Sequence, residues 1–226
     1  MATDGLRISG KAQAEDSPPK CPFSLQELTT LRLELEKARQ RVKDGKQPGR
    51  SDVTIELYWV CLASLYTAGE SAEIWQLHAD KVCCEEGIWY LDFGNAKARN
   101  VRVKNQQSVR RVPVHGDLMK AGFLDFVESK RSVSPTGRLF PKIHYSGAVS
   151  MFFRRIMHRA QISRPELTLH SVRHTFTTEL ARLNVPAKVA QYLTGHAMGH
   201  DVHSRVYLRL TPDLPTLKEA LEKVRF

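Results

Sequence analysis

Four residues that together could carry out a reaction lie in one stretch near the end of the chain, Leu167 to Leu210: two of its histidines, one of its arginines and one of its tyrosines. The histidines are His170 and His196, the arginine is Arg173 and the tyrosine is Tyr207. A tyrosine hydroxyl has a pKa of about 10, so it attacks a phosphodiester at neutral pH only when a base removes its proton and cations stabilise the phosphate. A guanidinium stays protonated and can hold two phosphate oxygens at once. These groups together are therefore suited to phosphodiester chemistry.

Helix start and stop signals predict how these groups come together. Apolar residues recur at intervals of four, four and three, which predicts a helix from near Thr168 to Asn184. The recurring positions are Val172, Phe176, Leu180 and Leu183. His170 and Arg173, three apart, share a face at the edge of that stripe. Pro186 is placed to open a second helix that ends at Gly195, so His196 is expected in the turn that follows.

The motif His170-Ser171-Val172-Arg173, followed by Gly195-His196 and by Tyr207 eleven positions later, resembles the second half of the active site of the tyrosine recombinases, the phage-integrase family. The order, the separations and the run Val172 to Phe176 carry this resemblance jointly. It covers roughly residues 22 to 210. The resemblance implies the family's DNA breaking-rejoining catalytic domain, a mainly α fold with a small antiparallel β-sheet (α+β).

The resemblance also implies a function and a set of roles. Tyr207 would form a 3′-phosphotyrosyl link with DNA, and the free 5′ hydroxyl of a partner strand would reverse it, giving site-specific recombination or integration without a nucleotide cofactor. Arg173, His170 and His196 would bind the phosphate oxygens, and His170 also suits a general base. Lys104 matches the family's lysine on a turn of the sheet and would protonate the departing 5′ oxygen. No carboxylate cluster for two magnesium ions is apparent, so no metal is expected.

Glu70 departs from the family pattern. The segment Tyr66 to Leu77 is similar to the family's first motif, and Glu73 and Leu77 match it, but Glu70 stands where that motif has its first arginine. No arginine occurs anywhere from Ser51 to Ala98. Losing one donor to a reacting phosphate costs on the order of a hundredfold to a thousandfold in rate. A glutamate there would repel the phosphate or pair with Arg173, so a catalytically silent DNA-binding module is the alternative function.

Each of these residues also has a simpler structural explanation. On its own, His170 could be satisfied by backbone at a helix start, Lys104 could be a surface lysine, and Tyr207 a half-buried aromatic. His196, with His200 and His203, resembles a zinc site, but the intervals do not repeat a known helical ligand pair and no cysteine is near. An unrelated helical DNA- or RNA-binding protein would require the joint motif to be coincidence.

Composition agrees with a nucleic-acid partner. The 226 residues carry a net charge of +10 and a sequence pI near 9.6, which favours a polyanionic partner, although charge alone does not separate DNA from RNA or an anionic surface. The resemblance implies that the partner is double-stranded DNA. No apolar run reaches the length of a membrane span. The four cysteines show no C-x-x-C pair and no secretion signal precedes them, so we expect a reducing, cytoplasmic location near the nucleoid in a bacterial, phage or mobile-element setting.

The domain organisation follows from local signals. Residues 1–21 are expected to be a disordered tail or linker, 22–210 the catalytic domain and 211–226 an amphipathic helix, with the family's N-terminal core-binding domain absent. A capping box at Ser24 opens a first helix to about Val42, and a core helix begins at Ser51. The terminal helix is expected to dock on a neighbouring protomer or on its own chain, and we expect a homo-oligomer, a tetramer on DNA, through that helix.

Strand patterns occupy the middle of the chain. They predict strands over Val82 to Glu85, Ile88 to Phe93 and Gln107 to Val114, with a tight turn at Glu86-Gly87. Asp117 to Ser129 is then expected to be helical. A further helix is expected to contain Val149, Phe152, Phe153 and Ile156.

Overall fold

A computed structural model describes residues 22–46, 51–94, 109–195 and 211–226 of the chain. The helices before the sheet are α1 (Leu25–Lys43), α2 (Ser51–Thr67) and α3 (Ser71–Trp75), followed by a single 3-10 turn, Ala79–Lys81. The strands are β1 (Val82–Glu85), β2 (Ile88–Asp92) and β3 (Arg111–Pro113). The later helices are α4 (Gly116–Lys120), α5 (Phe123–Arg131), α6 (Ser146–Arg159), α7 (Leu169–Arg182), α8 (Ala187–Thr194) and α9 (Leu214–Glu222).

The helix α2 lies at the centre of the core. It is apolar on nearly all sides, which is typical of a helix surrounded by other elements. Its Tyr58 and Trp59 are fully buried, and the helix packs against α1, α6 and α7. The helix α1, with its capping box at Ser24, has the bounds that the sequence signals predict, and α2 begins at the predicted residue, Ser51.

The sheet is antiparallel, with strand order β1-β2-β3. The middle strand is β2, whose Leu91 pairs with Val82 of β1 and whose Tyr90 pairs with Pro113 of β3. Glu86 and Gly87 have φ angles of 49° and 79°, so they form the two-residue turn that suits the twist of a hairpin. The predicted turn is confirmed, and the described part of the third strand lies inside its predicted range.

The segment from Asp117 to Ser129 is helical as predicted except for a break that separates α4 from α5. Gly122, with φ of 90°, stands between them in a left-handed conformation that ends one helix and caps the next. Buried apolar residues occur on both sides of the break, Leu118 in α4 and Phe123 and Val127 in α5. The apolar spacing alone therefore did not predict the bend at Gly122.

The C-terminal helix α9 packs on its own chain, against β3, β2 and α8. Leu217 and Leu221 are buried in that contact. Polar groups reinforce it, because Glu222 Oε1 accepts a hydrogen bond from the Gly116 N–H at 2.6 Å and Lys218 Nζ donates to the Val114 carbonyl at 2.6 Å. Of the two docking partners that the sequence left open, the structure has the helix's own chain.

None of the helices in the described ranges combines the length and the hydrophobicity that a bilayer crossing requires.

Candidate active site

The helix α7 carries the described part of the predicted site. It begins as expected, with the Thr168 N–H donating to Ser171 Oγ at 3.0 Å, and ends before Asn184, whose φ is 55°. Its apolar face, Val172, Phe176 and Leu180, is buried. Thr175 Oγ1 accepts a hydrogen bond from the Phe23 N–H at 2.8 Å, so the segment before α1 anchors the helix. The predicted helix is confirmed.

Arg173 lies deeper than its place at the edge of the apolar stripe suggests. Its side chain is 7% exposed, and its Nη1 lies 3.5 Å from Glu70 Oε1. Within the described ranges no acceptor forms a hydrogen bond with the buried Nε. Burial lowers the pKa of this guanidinium, Arg110 lowers it further, and Glu70 and Glu73 oppose both effects. Because guanidinium keeps its proton under such shifts, Arg173 is a buried cation with incomplete hydrogen bonding.

His170 lies one turn before Arg173 and is exposed to solvent. Its imidazole meets the ring of His174 edge-on, with the centroids 5.0 Å apart. The structure therefore places an accessible imidazole on the same helix as the buried guanidinium.

Glu70 is the N-cap residue of α3. Its N–H donates to Glu73 Oε2 at 2.9 Å, and its carbonyl accepts from the N–H groups of Glu73 and Ile74. The backbone of Glu70 is therefore held firmly, while its side chain, 38% exposed, reaches Arg173. The pairing of Glu70 with Arg173 that the sequence suggested as one possibility is present in the structure.

A second arginine, Arg110, pairs with Glu73, three positions after Glu70, and was not singled out from the sequence. Its two terminal nitrogens donate to the two carboxylate oxygens of Glu73, each at 2.8 Å. Its Nε donates to the Leu193 carbonyl at 3.2 Å, and its guanidinium lies 4.8 Å from the Phe93 ring centroid. The one available signal was the matched motif residue Glu73, since a buried carboxylate requires a cation.

The Glu73 carboxylate is ionised more readily than usual. Burial by itself raises its pKa, but hydrogen bonds and charge from Arg110, with the Glu70 N–H, outweigh burial and lower the pKa below the ordinary value of 4.5. Through Leu193 the same pair holds the end of α8, where Gly195 has φ of 64° and closes the helix. His196 is the next residue in the sequence.

Three predicted site residues, Lys104, His196 and Tyr207, lie outside the described residues. So do His200 and His203, whose spacing with His196 resembled a zinc site, and the expected tail, 1–21. Within the described ranges no group of three or more His, Cys, Asp or Glu side chains is placed to hold a metal ion. Of the predicted site, the structure thus brings Arg173 and Glu70 into contact and places His170 one turn before Arg173 on the same helix.

Comparison with known proteins identifies the fold. The model of the phage integrase family matches residues 51–213. The structure of the XerH site-specific recombinase bound to difH substrate in a pre-cleavage complex is similar, with a TM-score of 0.58 at 18% identity, and the match covers 88% of this chain and 53% of that one. A search of curated proteins finds no significant match.

Two integrases are similar to the same degree. The integrase of mycobacterium phage Brujita matches with a TM-score of 0.55 and 18% identity over 96% of this chain and 61% of its own. The Tn1549 transposon integrase, in complex with transposon right end DNA, matches with a TM-score of 0.56 and 19% identity over 94% and 68%. The chain thus spans about half to two thirds of these proteins. The predicted fold class, mainly helical with a small antiparallel sheet, is confirmed.

Proposed function

Because the chain belongs to the phage integrase family, we propose that it cleaves and rejoins DNA strands at specific sites through a 3′-phosphotyrosyl intermediate on Tyr207. The observation that carries this proposal is the guanidinium of Arg173. It is buried, charged and short of acceptors among the described residues, with one carboxylate oxygen at 3.5 Å. A phosphodiester supplies the negative charge and the oxygens that such a group lacks.

The remaining groups would complete the reaction. The Tyr207 oxygen attacks phosphorus, its proton passes to His170, and the bond to the 5′ oxygen breaks as Lys104 protonates that oxygen. Arg173 and His196 stabilise the charge that builds on the phosphate oxygens in the transition state. In the second step the 5′ hydroxyl of a partner strand attacks the phosphotyrosyl link and releases Tyr207.

The exposed face of α6 supports DNA as the partner. That helix has no acidic residue, and its solvent side carries Arg154, Arg155, His158 and Arg159. Among the described residues no carboxylate forms a salt bridge with these arginines. The helix α6 also packs against α3, which Glu70 caps. The positive charge of α6 therefore acts close to Glu70 and its partner Arg173. Binding through this face would depend on phosphate and fall steeply with salt.

Assembly and location are part of the same proposal. Family membership suggests a homo-oligomer on double-stranded DNA, a tetramer, acting at the nucleoid in the cytoplasm. Because the apolar face of α9 is already covered by its own sheet, assembly through that helix would require it to leave that sheet or to use its solvent side.

A second candidate function rests on Glu70. Its ion pair with Arg173 occupies the guanidinium that would otherwise hold the phosphate. The alternative is therefore a DNA-binding module that keeps the fold and lacks strand cleavage.

Covalent trapping separates the two functions. The protein is incubated with supercoiled plasmid, denatured, and assayed for DNA-linked protein and relaxed plasmid, beside Tyr207→Phe and Glu70→Arg. An adduct in the parent that Tyr207→Phe abolishes supports the recombinase. An adduct that appears only with Glu70→Arg supports the silent module.

A further inference from the structure

Among the residues that the structure describes, four charged side chains form one cluster at the start of α3, and we call it the arginine–glutamate cluster: Glu70, Glu73, Arg110 and Arg173. Two carboxylates and two guanidinium groups make it formally neutral. An arginine in place of Glu70 would leave three guanidinium groups and one carboxylate, a formal charge of +2. Position 70 therefore decides whether this cluster attracts an anion strongly.

The two carboxylates of the cluster differ in their freedom to move. Both oxygens of Glu73 accept hydrogen bonds from Arg110 at 2.8 Å, so this side chain is fixed. The Glu70 carboxylate has a contact of 3.5 Å with Arg173, longer than a hydrogen bond, and is partly exposed. Because the capping hydrogen bonds hold the Glu70 backbone, its side chain can rotate towards solvent while α3 stays in place.

We propose that Glu70 is a resident anion at the phosphate site, lying against Arg173 in the DNA-free protein and displaced by a DNA phosphate. This inference rests on the proposed function in taking Arg173 as the phosphate ligand. The displacement is favourable only for an anion that makes shorter and more numerous hydrogen bonds to the guanidinium than Glu70 does. A phosphodiester held in place by further contacts along the DNA meets that condition, whereas free phosphate must compete with Glu70 unaided.

Anion binding to charge variants tests this inference without requiring catalysis. Inorganic phosphate and a short duplex DNA of arbitrary sequence are titrated by calorimetry against the parent, Glu70→Gln and Glu70→Asp. Glu70→Gln should tighten phosphate binding by about twofold to fivefold, the range for losing a partly screened charge. Glu70→Asp keeps the charge but shortens the side chain, and it should tighten binding by a smaller factor.

The matched control is Glu219→Gln, which removes the same charge from the exposed side of α9. The inference is overturned if Glu219→Gln tightens binding as much as Glu70→Gln, since net charge alone would then explain both. It is also overturned if Glu70→Asp binds phosphate no better than the parent.

A second pair of variants, built on Arg173→Gln, tests whether Glu70 weakens phosphate binding through Arg173. In Arg173→Gln, phosphate binding should be weaker, and adding Glu70→Gln should no longer improve it. An equal improvement in both backgrounds would contradict competition for that guanidinium. These binding measurements are independent of strand cleavage. If Glu70→Gln tightens phosphate binding only when Arg173 is present but no covalent adduct forms, the inference stands and the recombinase proposal fails. If an adduct forms but the effect of Glu70→Gln does not depend on Arg173, the recombinase proposal stands and the inference fails.

Discussion

Two ion pairs, whose carboxylates Glu70 and Glu73 lie three positions apart at the start of α3, use the same residue types with opposite consequences. Glu73 and Arg110 satisfy each other through two hydrogen bonds of 2.8 Å, and the Arg110 side chain is 1% exposed. Glu70 and Arg173 meet at 3.5 Å, and Arg173 Nε has no hydrogen-bond acceptor in the described ranges. We call the Glu73–Arg110 pair saturated, because the carboxylate and the guanidinium satisfy each other's hydrogen bonds. Such a buried pair contributes to the stability of the fold and has little capacity to bind a ligand. An unsaturated buried guanidinium costs stability and leaves room for a ligand.

The largest expected effect comes from breaking the saturated pair. Glu73→Gln removes the carboxylate that accepts two hydrogen bonds from the buried Arg110 guanidinium, so the free energy of unfolding should fall by about 3 kcal/mol or more. Urea unfolding followed by circular dichroism measures this loss. The control is the neighbouring exposed pair, Arg111 with Glu85, both about half exposed. Glu85→Gln should change stability by less than about 1 kcal/mol, and equal losses in the two variants would remove the distinction between a buried and an exposed pair.

Removing the unsaturated arginine should separate stability from activity. Arg173→Met replaces an incompletely bonded buried charge by an apolar side chain of similar length, so the free energy of unfolding should stay level or rise by about 1 kcal/mol. The rate of covalent adduct formation should fall by about a hundredfold to a thousandfold. Urea unfolding and single-turnover cleavage provide the two measurements. A variant destabilised as much as Glu73→Gln would show that Arg173 is structural as well.

Gly195 tests how rigidly Arg110 is held. A Cβ added there would lie 2.8 Å from Arg110 Cζ, and Arg110 has bonds to Glu73 and Leu193 that prevent it from moving away. Gly195→Ala should lower the free energy of unfolding by about 1–3 kcal/mol. Gly45→Ala is matched in φ, 69° against 64°, but no atom of the described residues lies within 4 Å of its Cβ, so it isolates backbone strain. Equal losses in the free energy of unfolding at both positions would mean that the Arg110 side chain moves to accommodate the added methyl group.

The smallest effect is a pH dependence of the saturated pair. The pKa of Glu73 is lower in the folded protein than its ordinary value of 4.5. Its contribution to stability is therefore complete above about pH 4.5 and is lost as the pH falls through the lower, folded-state value. The stability difference between the parent and Glu73→Gln should be constant near neutral pH and shrink in acid. A difference that grows below pH 4.5 would contradict this assignment.

The sequence by itself determined the local elements and the family resemblance. The bounds of α7, the hairpin turn at Glu86-Gly87 and the closing glycine of α8 follow from caps, turn residues and apolar spacing, and these signals act within a few residues. The motif around His170 and Arg173 and the departure at Glu70 were also legible in the sequence, because they depend on residue order alone.

Only the tertiary structure decided which charges meet and how completely they are satisfied. Arg110 and Glu73 are 37 positions apart, and neither the bidentate pair nor the burial of Arg173 leaves a periodic trace in the chain. The break at Gly122 and the docking of α9 on its own sheet likewise depend on packing across the fold. Local propensity acts between near neighbours, whereas burial and long-range pairing are fixed when the elements pack together.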